Sequence, residues 1–152
     1  MSNSNSKASL FLMELIMSIL FFSLSAAVCV QLFVKSHALS QQSLKLNYAV
    51  IASESLAECF YGTNGDLEKI IGAMEGSYLN ASAKTIHVYY NKNFERISIS
   101  DFPHECRYIL TGVLREEDDM RILDITYVDY RDKEKVIYRI TPELYVNKEE
   151  TD

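Results

Sequence analysis

Between Ser9 and Tyr61 the chain has neither glycine nor proline, the two residues that most strongly interrupt a helix. Inside that stretch, Leu15 to Val34 carries no charge at all. The 5 glycines of the 152 residues are scattered, which argues against a glycine-rich phosphate loop. The 3 cysteines form no C-x-x-C pair; His104 stands near Cys106 in "PHEC" without a second cluster, and His37 and His87 are isolated. A zinc site is therefore not expected. "REEDDMR" is rich in oxygen ligands but lacks the D-x-D-x-D-G spacing of a calcium loop, and reads as a solvated turn. No order of Ser, His and Asp marks a nucleophilic triad. With no catalytic constellation, no internal repeat and no low-complexity segment, the chain is expected to be neither an enzyme nor a cofactor carrier.

What is present begins with the uncharged run. A helix from Leu15 to Val34 is about 30 Å long, the thickness of a bilayer core. A cleaved secretory signal has a shorter apolar region, and here "SAAVCVQ" runs on into more apolar sequence. A buried core helix rarely needs so many uncharged residues. A membrane-spanning segment over 10–34 is the reading, with membrane lipid as its surroundings. Only "MSNSNSK" precedes it, and the folded bulk follows, which suits a single-pass chain with its N-terminus cytoplasmic and its C-terminal part outside. Beyond Lys35 there are 13 basic and 20 acidic residues. A field of that sign repels phosphate backbones, so no direct nucleic-acid partner is expected.

Beyond Lys35 the sequence turns amphipathic. On a helical wheel Leu39, Leu46, Ala49, Val50, Leu56, Ala57 and Phe60 share one arc, and Ser40, Asn47, Glu54 and Glu58 share the opposite one. Gly62 is a C-terminal stop. The simplest reading is one helix of about fifty residues; the alternative is a span followed by a separate helix over 35–61. Asp66 can cap a short helix over 66–75. Strands follow over 84–146, alternating Ile86, Val88 and Tyr90; Tyr108, Leu110 and Leu114; and Leu123, Ile125 and Tyr127 toward one face. "NKN", "REEDD" and "RDKE" are short polar turns, which make consecutive strands antiparallel. Pro142 stops the strand "KVIYRI", and "ELYV" adds an edge segment. The fold class is α+β: a long N-terminal helix, its first half apolar all round, its second half laid on an antiparallel sheet.

Glu14 is the one charge near the head of the apolar run. With Lys7 before it and "LFLMEL" around it, the segment resembles the prepilin-type N-terminus of the type IV pilins and of the pseudopilins of type II secretion and competence systems. In that family a basic leader precedes a cut at a small residue, and glutamate is the fifth residue of the mature chain. The resemblance implies a leader over 1–9, peptidase processing between Ser9 and Leu10, N-methylation of Leu10, and an assembly role for Glu14, paired with the new N-terminal amine. Ser9 stands where the family usually has glycine, and Leu10 where it usually has phenylalanine. The implied function is a pseudopilin or minor pilin in a filament, with other pilin-like subunits, a prepilin peptidase and an inner-membrane assembly platform as partners. A different class of reading is an uncleaved single-pass protein whose extracytoplasmic domain over 35–152 binds a ligand. In that domain Cys59 and Cys106 are either a disulfide joining helix to sheet or two unpaired buried thiols. Cys29, inside the span, reads as a small apolar residue.

Overall fold

The computed structural model describes residues 3–132 and 135–146. The chain divides into two compact units, Met1–Ser43 and Leu44–Asp152. One helix, α1, runs Asn3–Gly62 through both, so the reading of a continuous helix holds and its start lies upstream of the expected leader boundary. In the first unit α1 is long and apolar enough to cross a membrane, and its side chains from Ala8 onward are exposed.

Among the described residues the second unit contains the last turns of α1, a short helix α2 (Leu67–Ala73) and seven antiparallel strands. These are β1 (Ser77–Asn80), β2 (Thr85–Tyr90), β3 (Arg96–Ile97), β4 (Tyr108–Glu117), β5 (Met120–Asp129), β6 (Lys135–Ile140) and β7 (Glu143–Tyr145). The order is β1-β2-β4-β5-β6; β3 pairs with β2, and β7 with β5. The period-2 pattern places the strands as expected: Ile86, Val88, Tyr90, Tyr108, Leu110, Leu114, Leu123, Ile125 and Tyr127 all point into the core. β4 and β5 pair along their full length from Tyr108↔Asp129 to Glu117↔Met120. Arg115, Glu116 and Glu117, expected in a turn, therefore stay in the strand, and only Asp118 and Asp119 turn the chain. β1 lies before the expected start of the sheet, and the stretch "FERISIS" contributes only the two residues of β3.

Helix and sheet meet along Ala49, Ala52, Leu56, Ala57 and Phe60, all buried. The expected arc was too long at its start. Leu39 and Leu46 are 64% and 45% exposed, because an apolar arc is buried only where strands stand beneath it. Gly112, at the middle of β4, leaves room for the Leu56 side chain. A Cβ there would lie 3.0 Å from Leu56 Cδ2 and 3.4 Å from Leu123 Cδ1. Ser53, on the same helix face, is fully buried, and among the described residues its hydroxyl has no hydrogen-bond partner.

α1 ends at Gly62 as expected, but the left-handed residues that reverse the chain are Asn64 (φ 53°) and Gly65 (φ 75°). Gly65 N–H donates to the Phe60 carbonyl at 2.8 Å, and Arg121 Nη1 donates to the Asn64 carbonyl at 2.6 Å. The guanidinium thus sits just beyond the C-terminus of α1, where the helix dipole favours a cation. Asp66 caps α2, its Oδ1 accepting from the Glu68 and Lys69 N–H groups at 3.1 and 3.3 Å. Those same bonds hold the Asp66 carboxyl below its ordinary pKa.

Candidate functional site

The residues singled out near the N-terminus, Ser9, Leu10 and Glu14, lie on α1 in the first unit, and all are exposed. Leu10 and Glu14 are four residues apart, so they occupy one face, about 6 Å apart along the axis. Lys7 is part of the helix backbone. Further along, Ser23 and Ser25 donate their hydroxyls to the Ile19 and Phe21 carbonyls, both at 2.8 Å. These back-bonds satisfy those two hydroxyls within the helix itself. Glu14 is left as the one ionisable carboxylate in that run, and such a group in hydrocarbon needs a partner or a route to the interface.

The second unit has a different chemistry at one end of its sheet. Beyond the first residue of β4, Arg107 N–H donates to the Tyr90 carbonyl and the Arg107 carbonyl accepts from Tyr130 N–H, both at 2.8 Å. The pairing of β2, β4 and β5 thereby extends one residue further. Asp129, 4% exposed at the end of β5, accepts from Arg107 Nη2 at 2.8 Å and from the Arg131 N–H at 3.2 Å. Arg131 Nη2 donates to the His104 carbonyl at 3.2 Å. Across from them is the β2–β3 turn. Asn91 Oδ1 accepts from the Asn93 and Glu95 N–H groups at 2.8 and 3.1 Å, which holds Lys92 at the tip. Phe94, at φ 64°, is an unusual backbone for an aromatic residue. It is clamped between Tyr48 of α1 (ring centroids 4.2 Å) and Tyr108 (5.0 Å). The result is a cleft of about 560 Å³ lined by Lys92, Arg107 and Arg131, with Glu105 and Tyr108.

No family model, curated protein or solved structure matches the chain.

The structure does not bring Cys59 and Cys106 together: the cysteines are free thiols. Cys106 is buried just before β4, at the Arg107 end of the sheet, where its Sγ donates to the Tyr108 carbonyl at 3.6 Å. Cys59 is the neighbour of Phe60, whose ring lies beside Gly65 and the Arg121 side chain at the other end. Along β4 the two ends are about 26 Å apart, against the ~4.4–6.8 Å between Cα atoms that a disulfide requires. Burial pushes the Cys106 thiol up, so it is a poor thiolate. Among the described residues no group of three or more His, Cys, Asp or Glu side chains is placed to hold a metal ion.

Burial also raises the phenols of Tyr90, Tyr108 and Tyr127 and lowers the imidazole pKa of His87. His87 faces away from α1, its Nδ1 3.3 Å from Thr111 Oγ1. Sequence reading missed the cationic cleft. Its residues are scattered from Asn91 to Arg131, and no spacing rule connects them; only the pairing of β2, β4 and β5 does.

Proposed function

We propose that this chain is a pilin-like structural subunit, a pseudopilin or minor pilin, anchored by the first part of α1 and assembled with like subunits through it. The observation that carries the reading is the continuity of α1. An apolar, exposed helix with a single carboxylate near its head runs without a break into a helix packed on an antiparallel sheet. The anchor sits in the membrane with its short N-terminal tail cytoplasmic and the second unit outside. A prepilin-type peptidase cuts between Ser9 and Leu10. Glu14 then pairs with the new amine of Leu10, four residues away, or with that of a neighbouring subunit. The pair sets the axial register between subunits, as a buried polar residue sets register in a coiled coil.

The competing reading is an uncleaved single-pass protein whose outer domain binds a ligand. It is favoured by the Ser9–Leu10 bond lying inside α1 rather than in an extended segment. Mass spectrometry of the N-terminus of protein isolated from membranes separates the two. A chain beginning at Leu10, N-methylated, supports the subunit; an intact Met1 or Ser2 terminus rejects processing and moves the assignment to the binding protein.

A further inference from the structure

The cleft at the Arg107 end of the sheet concentrates positive charge in a domain whose sequence beyond Lys35 is about seven charges negative. Among the described residues three cations, Lys92, Arg107 and Arg131, share its walls with a single carboxylate, Glu105. Two of the three are held in place. Asp129, buried beneath them, binds the Arg107 guanidinium through one nitrogen and fixes the Arg131 backbone; the Arg131 guanidinium is steadied by the His104 carbonyl. Each guanidinium has five N–H donors, so each retains donors beyond these contacts. Lys92 stands on the hydrogen-bonded β2–β3 turn and makes no ion pair among the described residues. The cleft volume, about 560 Å³, falls within the range of small-molecule sites and exceeds what one oxyanion fills.

We propose that this cleft binds a small ligand bearing a phosphate group. Arg107, Arg131 and Lys92 contact the phosphate oxygens, and the Tyr108 ring lines the space left for the rest of the molecule. Two planar guanidinium forks and one ammonium match a group with several anionic oxygens better than they match a single carboxylate. Charge also favours a small ligand over an anionic lipid surface. A membrane face would meet the field of the whole acidic domain, whereas a molecule inside the cleft lies within a Debye length, about 8 Å, of all three cations.

The test is calorimetric titration of the full chain, held in phosphatidylcholine nanodiscs, with inorganic phosphate at constant ionic strength and with chloride as the control anion. Saturable binding of phosphate and none of chloride is expected. Lys92→Gln with Arg131→Gln should weaken it by about a hundredfold, since each of the two lost charge-assisted bonds is worth about a factor of ten. Both side chains are at the surface, so the melting temperature without phosphate should stay nearly unchanged. Lys92→Arg, which keeps the charge, should retain binding. Absence of saturation, or equal affinity in the double variant, overturns the proposal. A second titration against nanodiscs containing phosphatidylglycerol distinguishes the sources: binding there with no response to inorganic phosphate also overturns the small-ligand assignment, in favour of a lipid headgroup.

Discussion

The seating of α1 on the sheet depends on one missing methyl group, and restoring it gives a sharp test. Gly112→Ala places a Cβ 3.0 Å from Leu56 Cδ2, a contact that forces Leu56 or the helix backbone to move. Alanine in place of glycine in a strand gains about 0.5–1 kcal/mol from the stiffer unfolded chain. Overpacking of a filled core costs about 1–3 kcal/mol. The steric term wins because Leu56 is fully buried and Leu123 closes the other side, and a net loss of about 1 kcal/mol is expected. Leu56→Ala alone should cost about 2–5 kcal/mol, for lost burial and the cavity it leaves. The two effects should not add. Once Leu56 is truncated the Cβ at residue 112 has room and partly fills the cavity, so Gly112→Ala in the Leu56→Ala background should be neutral or stabilising, a coupling of about 1–2 kcal/mol. Denaturant unfolding of the full chain in detergent, followed by near-ultraviolet circular dichroism of the buried tyrosines, measures all four corners of the cycle. Equal cost of Gly112→Ala in both backgrounds would refute the contact between helix and strand at this point.

Other outcomes follow from the same geometry. Ser53→Ala removes a buried hydroxyl with no partner among the described residues and improves helix propensity; it should stabilise the second unit by about 1 kcal/mol, raising its melting temperature by about 4–8 °C, and a drop would mean that the hydroxyl is satisfied. Because burial raises the phenols of Tyr90, Tyr108 and Tyr127, the unfolded chain loses these protons first, so their contribution is complete below about pH 10 and is lost as pH rises above it. Tyrosinate absorbance should therefore rise together with loss of near-ultraviolet dichroism above that pH; if all ten tyrosines ionise while the dichroism persists, the three phenols are not in the core. Glu14→Gln should leave membrane insertion and the fold of the second unit intact, since the apolar segment becomes less polar, and should weaken cross-linking between single-cysteine variants in membranes. Undiminished cross-linking would leave Glu14 without an assembly role.

Much of this architecture is local, and local physics is written in the sequence. The absence of glycine and proline from Ser9 to Tyr61 permits one helix, and the structure has one. The alternation around Ile86–Tyr90, Tyr108–Leu114 and Leu123–Tyr127 specifies which side of each strand faces inward, because a period of two leaves no other choice. Asp66 announces the cap of α2 in the same way. What periodicity cannot carry is distance between remote residues. A helical arc continues past the sheet that covers it, so Leu39 and Leu46 belong to the pattern and not to the core. Cys59 and Cys106 both belong to the second unit, yet the direction in which α1 crosses the strands puts them at opposite ends of the sheet. Gly112 acquires its purpose only from the Leu56 side chain above it. Lys92, Arg107 and Arg131 become one cleft only because β2, β4 and β5 pair in a register that brings their ends together. Side-chain order along the chain decided the elements; strand register and helix placement, which are long-range, decided what those elements hold.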